Sequence, residues 1–361
     1  MSVERAQILR LNFECLRSIP GGVNEVRLWW DEQLGCHRVG KRFDLSCLDD
    51  VLPEPATLQM IEHANVVGVI AASPIEDEEL YPPPMRVIEL ITPYFPRGSI
   101  TDALLRGEHF SPTRSVQIVQ AMLQGLSNLH DVHGIAHRDI KSGNVLLTDD
   151  KDPAIAKICD LGLAGLFDES NHVPALNNPT LYSPPEFKYG GLLTRAAELY
   201  PVALILLELL KGPFDYAGYS TRDIVRQLSE GRHPTLKSDR QPPIWASRPM
   251  RRFLAKSLQT DPVNRFQSAR EMSNSLAKVA CIDWIRVNET TWEAPFLFKP
   301  GRRIRVSART GADGSVELAT QIDAGSGWRQ AIGTRPQTVQ QLESSQGRAV
   351  FDQATTIAIA R

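Results

Sequence analysis

The chain has 361 residues, 42% of them hydrophobic and 23% charged, with a formal net charge of −2. That length exceeds a usual single domain, so two domains, or one two-lobed domain with an appendage, are expected. The near-neutral balance gives no whole-protein bias toward nucleic acid or an anionic membrane surface.

Five scattered cysteines (Cys15, Cys36, Cys47, Cys159, Cys281) form no CxxC pair. Their odd number argues against a disulfide framework or a structural zinc site and favours a reducing, cytoplasmic setting. The first residues break their apolar stretch with Glu4, Arg5 and Arg10 and do not read as a signal peptide. The longest apolar run, Pro201 to Leu210, contains Glu208 and is too short to span a bilayer, so no membrane partner is expected.

In chain order, short β-type runs at Glu25 to Trp30, Arg38 to Phe43 and Arg86 to Ile91, with one helical stretch around Thr57 to His63, predict a small sheet-rich lobe. Ser111-Pro112 is a helix-start signal, and Val119, Met122, Leu123, Leu126 and Leu129 then recur at helical spacing. Ala203 to Leu210, Thr221 to Glu230 and Arg248 to Leu258 continue a helical lobe to about Cys281. A domain boundary is expected near 282. Beyond it Ile304 and Val306 alternate with arginines, and Val316, Leu318, Thr320 and Ile322 alternate after TGADG, which predicts a hairpin. Pro336 to Ser345 reads as a short helix and Ala349 to Ile359 as β-type sequence.

The chemistry concentrates in His137-Arg138-Asp139-Ile140-Lys141-Ser142-Gly143-Asn144 and in Asp160-Leu161-Gly162, sixteen residues past Asn144. Phosphoryl transfer needs a carboxylate at the attacking hydroxyl, cations on the phosphates and a pocket that positions both. This pair of motifs resembles the catalytic loop and the DFG motif of the eukaryotic-type serine/threonine protein kinase family, with Leu161 in place of Phe. The resemblance covers about residues 11–281. It implies an α+β, two-lobed kinase fold with a small lobe at about 11–92, a hinge at 93–98 and a helical lobe at 99–281; residues 282–361, which resemble no known family, read from their own alternation as a β-rich accessory domain. It further implies Asp139 as the base, Lys141 balancing charge on the transferred phosphoryl, and Asn144 and Asp160 as Mg²⁺ ligands.

Read against the same family, IPGGVNEV is similar to the glycine-rich loop over the ATP phosphates, with Gly21 and Gly22 present and Ile19 and Asn24 at the other motif positions. Lys41, fifteen residues after Val26, stands where the family places its α/β-phosphate lysine. Glu54 is its expected helix partner, with Glu62 the alternative, and Pro55 fits only near a helix start. Thr92 resembles the gatekeeper and Pro93 to Phe95 the hinge, where the Pro93 carbonyl and the Phe95 N–H would meet adenine. Val26 and Leu147 are the implied apolar covers for the ring.

Pro184-Pro185-Glu186 resembles the motif that closes the activation segment, and Arg265 is its implied partner. Glu198 and Ala203 replace the family's aspartate and glycine on the central helix. Counting back from Glu186 puts Pro179 where a threonine is usual, with Thr180 one step on. Ser170, Thr180 and Ser183 are candidate phosphorylation sites for Arg138 to answer, and Asp168 or Glu169 could supply that charge instead. His130 and His133 read as packing or surface residues.

In the tail, Lys299, Arg302, Arg303, Arg305 and Arg309 with Trp284, Trp292 and Trp328 read as a solvated strand face, which argues against nucleic acid. The implied function is an ATP- and Mg²⁺-dependent Ser/Thr protein kinase with a protein substrate, and an accessory domain that binds a protein partner or the kinase domain. A pseudokinase scaffold and a small-molecule phosphotransferase are the competing readings.

Overall fold

The structure is a computed structural model that describes residues 13–19, 25–44, 55–75, 79–149, 151–188 and 190–360. Gly21, Gly22, Asn24 and Glu54 lie outside these residues.

The small lobe is one antiparallel sheet, β1 (Phe13–Ile19), β2 (Val26–Asp31), β3 (Cys36–Asp44), β4 (Ala71–Pro74) and β5 (Val87–Pro93), in the order β1-β2-β3-β5-β4. Residues directly opposite on antiparallel strands share a face. The register Val26↔Lys41, Val39↔Thr92 and Lys41↔Leu90 therefore puts Val26, Val39, Lys41 and Thr92 on one side. The other side carries a Trp29–Glu89 hydrogen bond of 2.6 Å, over which Gly40 leaves no room for a Cβ.

The helix expected around Thr57 to His63 is shorter: α1 (Pro55–Gln59) ends where Leu58 and Ile61 turn under the sheet. The His63 Nδ1 then accepts the Asn65 N–H at 3.1 Å, which closes the following turn.

The large lobe comprises α2 (Ile100–Leu105), α3 (Pro112–Asp131), the short strands β6 (Ile135–Ala136), β7 (Val145–Leu147), β8 (Ala156–Ile158), β9 (Gly165–Leu166), β10 (His172–Pro174) and β11 (Leu192–Thr194), and α4 (Arg195–Lys211), α5 (Thr221–Ser229), α6 (Lys237–Arg240), α7 (Arg248–Ser257) and α8 (Ala269–Leu276). The Ser111 hydroxyl caps α3 on the Arg114 N–H, and Pro112 occupies its first turn. The predicted stripe Val119, Met122, Leu123, Leu126 and Leu129 is wholly buried. It packs on α4, whose residues Ala196 to Leu209 are all buried, so this helix is covered around its whole girth, with Glu198 and Glu208 as its buried carboxyls.

The tail pairs β12 (Ile285–Asn288), β13 (Thr291–Pro295), β14 (Arg303–Thr310), β15 (Val316–Asp323) and β16 (Arg329–Gln330) in sequence order, with β17 (Gln337–Val339) also on β15. The expected hairpin is β14–β15, in register from Arg303↔Asp323 to Thr310↔Val316. Two expectations fail here. Pro336 to Ser345 holds β17 and a turn, and the sequence read as β-type is the helix α9 (Ser345–Ile359). Its Ser344 cap and the spacing of Val350, Phe351, Ala354 and Ala358 override the β-preference of Thr355, Thr356 and Ile357, because this face covers the sheet. Phe351 meets Trp284 and Trp292 edge-on at 5.5 and 5.3 Å. On the face away from the core Glu293 accepts both Arg303 and Arg305, each at 2.5 Å, so part of the basic strand's charge is offset in place.

The tail is seated on the large lobe. Ile244 belongs to its core and Trp245 packs against it. Asp352 accepts the Arg248 N–H at 2.8 Å and the Arg251 guanidinium at 2.7 and 3.2 Å, while Arg348 donates to the Pro243 carbonyl at 3.0 Å. Asp352→Ala removes three acceptor contacts at a half-exposed site and should lower stability by about 1–2 kcal/mol. Urea unfolding followed by proteolysis within α9 reads this out, and an unchanged midpoint would show that Asp352 is no clamp.

Candidate active site

The loop from His137 to Asn144 leaves β6 and returns through a 3₁₀ turn at Ser142–Asn144 into β7. Arg138 sits at φ 62°, a left-handed conformation that strains a residue with a Cβ. Glu198 from α4 holds it there: Oε2 accepts the His137 N–H at 2.9 Å, and Oε1 accepts the Arg138 N–H. Buried His130 meets Oε2 through Nε2 at 2.6 Å. Burial alone would raise the Glu198 pKa. The His130 bond and charge, His137 and the Arg138 N–H outweigh it and hold the carboxyl below its ordinary range.

Asp139 Oδ2 accepts Lys141 Nζ at 2.7 Å and Asn144 Nδ2 at 2.9 Å, and Asn144 Nδ2 also reaches the Asp139 carbonyl at 2.8 Å. The amide therefore turns its Oδ1 away from Asp139. His137 Nε2 lies 2.8 Å from the Cys159 carbonyl, which can only accept, so Nε2 carries the proton and Nδ1 accepts the Asp139 N–H at 3.3 Å. One ring thus ties the catalytic-loop backbone to the residue before Asp160.

Asp160 is also left-handed, at φ 66° and ψ 67°. Its Oδ1 accepts Lys41 Nζ and the Gly162 N–H, and among the described residues no hydrogen bond falls on Oδ2. Burial pushes its pKa up, but the Lys41 charge and hydrogen bond, with His137 and Gly162, bring it net below the usual carboxylate range. Leu161 packs with Phe43, Leu58 and Ile61 under the small lobe, so an aliphatic side chain fills the aromatic position of the motif.

An Mg²⁺ ion prefers hard oxygen ligands and keeps substrate phosphates and water among them, needing one or two protein oxygens rather than a cage. Asp160 Oδ2 and Asn144 Oδ1 fit that donor set. Among the described residues no cluster of three or more His, Cys, Asp or Glu makes a self-sufficient metal cage.

At the back of the cleft Thr92 Oγ1 lies 3.4 Å from the Val39 carbonyl, and Pro93 ends β5. Beyond it the Phe95 carbonyl accepts the Gly98 N–H at 3.0 Å, and the Gly98 carbonyl accepts Leu147 N–H at 2.9 Å. Leu147 is 1% exposed and belongs to the core of the large lobe. Strand alternation turns its neighbour Leu146 the other way, half-buried, so Leu146 rather than Leu147 is available to a ring in the cleft. Val39 shares a strand face with Lys41, a signal the spacing of two could have given.

Glu186 and Arg265 form a bidentate pair at 2.7 and 2.6 Å, with Arg265 fully buried. Thr180 is committed locally: its N–H goes to Ser183 Oγ and its hydroxyl accepts the Tyr182 N–H. Sequence reasoning missed a buried chain in which the Ser142 hydroxyl meets Thr101 and Tyr182 at 2.7 Å each, and Tyr182 donates to Glu208 at 2.7 Å. Burial raises the Glu208 pKa, and hydroxyl donors only partly offset it. Asp168, offered above as a stand-in anion for Arg138, instead accepts the N–H groups of Ser170 and His172 in its own turn.

A lysine-bearing antiparallel sheet with a helical lobe, a loop Asp–Lys–Asn cluster and a left-handed Asp tied to that lysine make the two-lobed architecture of the protein kinase fold. The protein kinase domain profile matches residues 24–276, and the chain belongs to that family. Relatives include serine/threonine-protein kinase pkn3 of Myxococcus xanthus, 26% identical over 63% of this chain and 41% of its own length. PrkC of Bacillus subtilis is 23% identical over 65% of this chain and 34% of its length. A probable leucine-rich repeat receptor-like kinase of Arabidopsis thaliana is 30% identical over 49% of this chain and 18% of its length. The chain thus spans between about a fifth and two fifths of these relatives. A crystal structure of Rad53 in complex with AMP-PNP superposes with TM-score 0.53 at 22% identity, covering 73% of this chain and 64% of that one, a likeness of fold. No helix among the described residues is long and apolar enough to cross a membrane.

Proposed function

We propose that this chain is a serine/threonine protein kinase that uses Mg-ATP. The observation that carries the reading is the Asp139–Lys141–Asn144 cluster on one loop, linked through His137 to the Lys41–Asp160 pair. In the reaction the substrate hydroxyl oxygen bonds to the γ-phosphorus as the bond to the β,γ-bridging oxygen breaks, ADP departs, and the hydroxyl proton passes to the Asp139 carboxylate. Lys141 offsets charge on the moving phosphoryl, and Lys41 orients the α- and β-phosphates. Bound Mg²⁺ would neutralise phosphate charge, held by Asp160 and Asn144. Adenine would meet the Pro93 carbonyl and the Phe95 N–H, between Val26 and Leu146. Gly21, Gly22 and Glu54 keep their proposed roles at the phosphates and Lys41. The AMP-PNP in the Rad53 structure supports a nucleotide in the corresponding cleft.

Residues 11–281 make the catalytic domain and 282–361 the accessory unit in this reading, supported by the family match ending at 276. Protein hydroxyls are the acceptors, as the names of the bacterial relatives suggest. Cys15, Cys36, Cys159 and Cys281 are free thiols, in keeping with a cytoplasmic setting. The test is transfer of labelled phosphate from ATP with Mg²⁺ to a generic protein substrate, expected for the purified chain. Nucleotide binding without transfer would make it a scaffold.

A further inference from the structure

A cavity of about 580 Å³ opens in the large lobe among α5, the loop at 231–236 and α6. That volume falls in the range of small-ligand pockets, roughly 300–1,000 Å³. Apart from Thr260, every residue lining it comes from the one stretch 218–240, and none belongs to the site described above. Arg226, Arg232, Lys237 and Arg240 line it together with one carboxylate, Asp223. Its wall thus carries a formal charge of +3 (4 − 1) in a chain whose net charge is −2.

The protein satisfies these cations unequally. Arg226 pairs with Asp223 at 2.7 Å and Arg232 with Glu230 at 2.5 Å, but all four side chains are exposed, and such pairs are weak and open readily. Among the described residues no ion pair falls on Lys237 or Arg240. Arg240 is half-buried: its Nε reaches the Thr235 carbonyl at 3.4 Å, and no hydrogen bond falls on its two Nη groups. The other carboxylate on α6, Asp239, accepts the Tyr219 hydroxyl instead. A guanidinium drawn partly out of water without a counter-charge is unfavourable, so the site is built for an anion it does not itself supply. Neighbouring His233 feels the same charge. Its Nδ1 lies 2.9 Å from the Tyr200 hydroxyl, and burial, then Arg240 and Arg265, push its pKa down to about 4.

Apolar surface lies among the cations. The Tyr219 hydroxyl also accepts the Leu236 N–H at 3.0 Å, which fixes the ring in the wall, and Leu236 itself is exposed. A guanidinium's planar fork matches phosphate oxygens two at a time, and an aromatic ring offers its face to an organic group. We propose that this cavity binds a small phosphate ester, with the phosphate on Arg240 and Lys237 and the organic part against Tyr219 and Leu236. Arg226 and Arg232 leave their surface pairs to close on it. The proposal is independent of the kinase reading, since none of these residues is placed at the nucleotide or the acceptor hydroxyl.

The probe is phenyl phosphate, titrated by calorimetry into the full chain with AMP-PNP present in excess. Saturable binding with a Kd of about 1 mM or tighter is expected. Arg240→Gln should weaken it by about tenfold or more while AMP-PNP affinity stays within about twofold, because a charged hydrogen-bond donor is lost only at the cavity. Lys237→Gln alters an exposed side chain that holds no ion pair, so the fold survives it, and binding should weaken by about threefold. With ¹³C-labelled histidine, the His233 ring signals should move during the titration and those of His137, on the catalytic loop, should stay. No saturable binding to the parent up to about 10 mM, or equal affinity in the parent and both variants, would overturn the site. Tighter binding of an octaglutamate peptide than of phenyl phosphate would overturn it as well, in favour of an acidic protein segment. A chain that binds the probe here and transfers no phosphate would leave this site standing and remove the kinase reading alone.

Discussion

Asp139→Asn should keep nucleotide affinity within about threefold of the parent and lower phosphoryl transfer by about 10³-fold, inside the usual range for a general base. The substitution preserves shape. Its amide oxygen can still accept Lys141 Nζ or Asn144 Nδ2, the two donors now on Asp139 Oδ2, with the new NH₂ turned outward. What it cannot do is take a proton from the acceptor hydroxyl at neutral pH. The groups proposed to face the nucleotide stand apart from it: Lys41 is held by Asp160, and the Cys159 carbonyl before Asp160 is tied through His137 to the backbone of residue 139 rather than to its side chain. Parallel titration of nucleotide binding and single-turnover transfer of labelled phosphate separates the two effects. Equal transfer by parent and variant would show that another group is the base.

The large lobe was legible because its motifs are local. Asp139, Lys141 and Asn144 lie within six residues, so spacing alone brings them together, and the helical stripe of α3 follows from a period of 3.6. Lys41 was singled out by its spacing from Val26, and the pairing of β2 with β3 sets those two residues opposite each other. Two kinds of feature were not readable. The first depends on face: Leu146 and Leu147 are adjacent and equally apolar, and only the pairing of β7 with β8 decides which meets the cleft. The second depends on contacts across long separations. Glu198 looked like an erosion of the motif until His130 appeared beside it, and α9 carries β-prone residues that become helical because Trp284, Trp292 and Phe351 need a common core. The three main-chain carbonyls that accept from Arg138 belong to the same kind, since they lie 25 to 36 residues away in sequence.

Glu198 is where that long-range contact should cost most when cut. Glu198→Ala leaves the His137 and Arg138 N–H groups and the His130 ring facing an apolar gap, at the residue whose positive φ they stabilise. Removing one partner of a buried charged network costs about 3–5 kcal/mol. Transfer should fall by about 100-fold or more, because Asp139 follows directly on the released turn. Glu198→Asp tests reach: the shorter carboxylate cannot span His130 and both amides at once, so it should lie between parent and alanine. The pH dependence carries a sign. The folded carboxyl titrates below its ordinary value of 4.5, so its stabilising contribution is complete above that pH and disappears as pH falls through the lower folded value. Thermal melting between about pH 3 and 6 should therefore show the parent losing stability more steeply in acid than Glu198→Gln, which has no charge to lose. Parallel curves for the two would mean that Glu198 is already neutral in the folded chain, and that His130, not a carboxylate, sets the turn at Arg138.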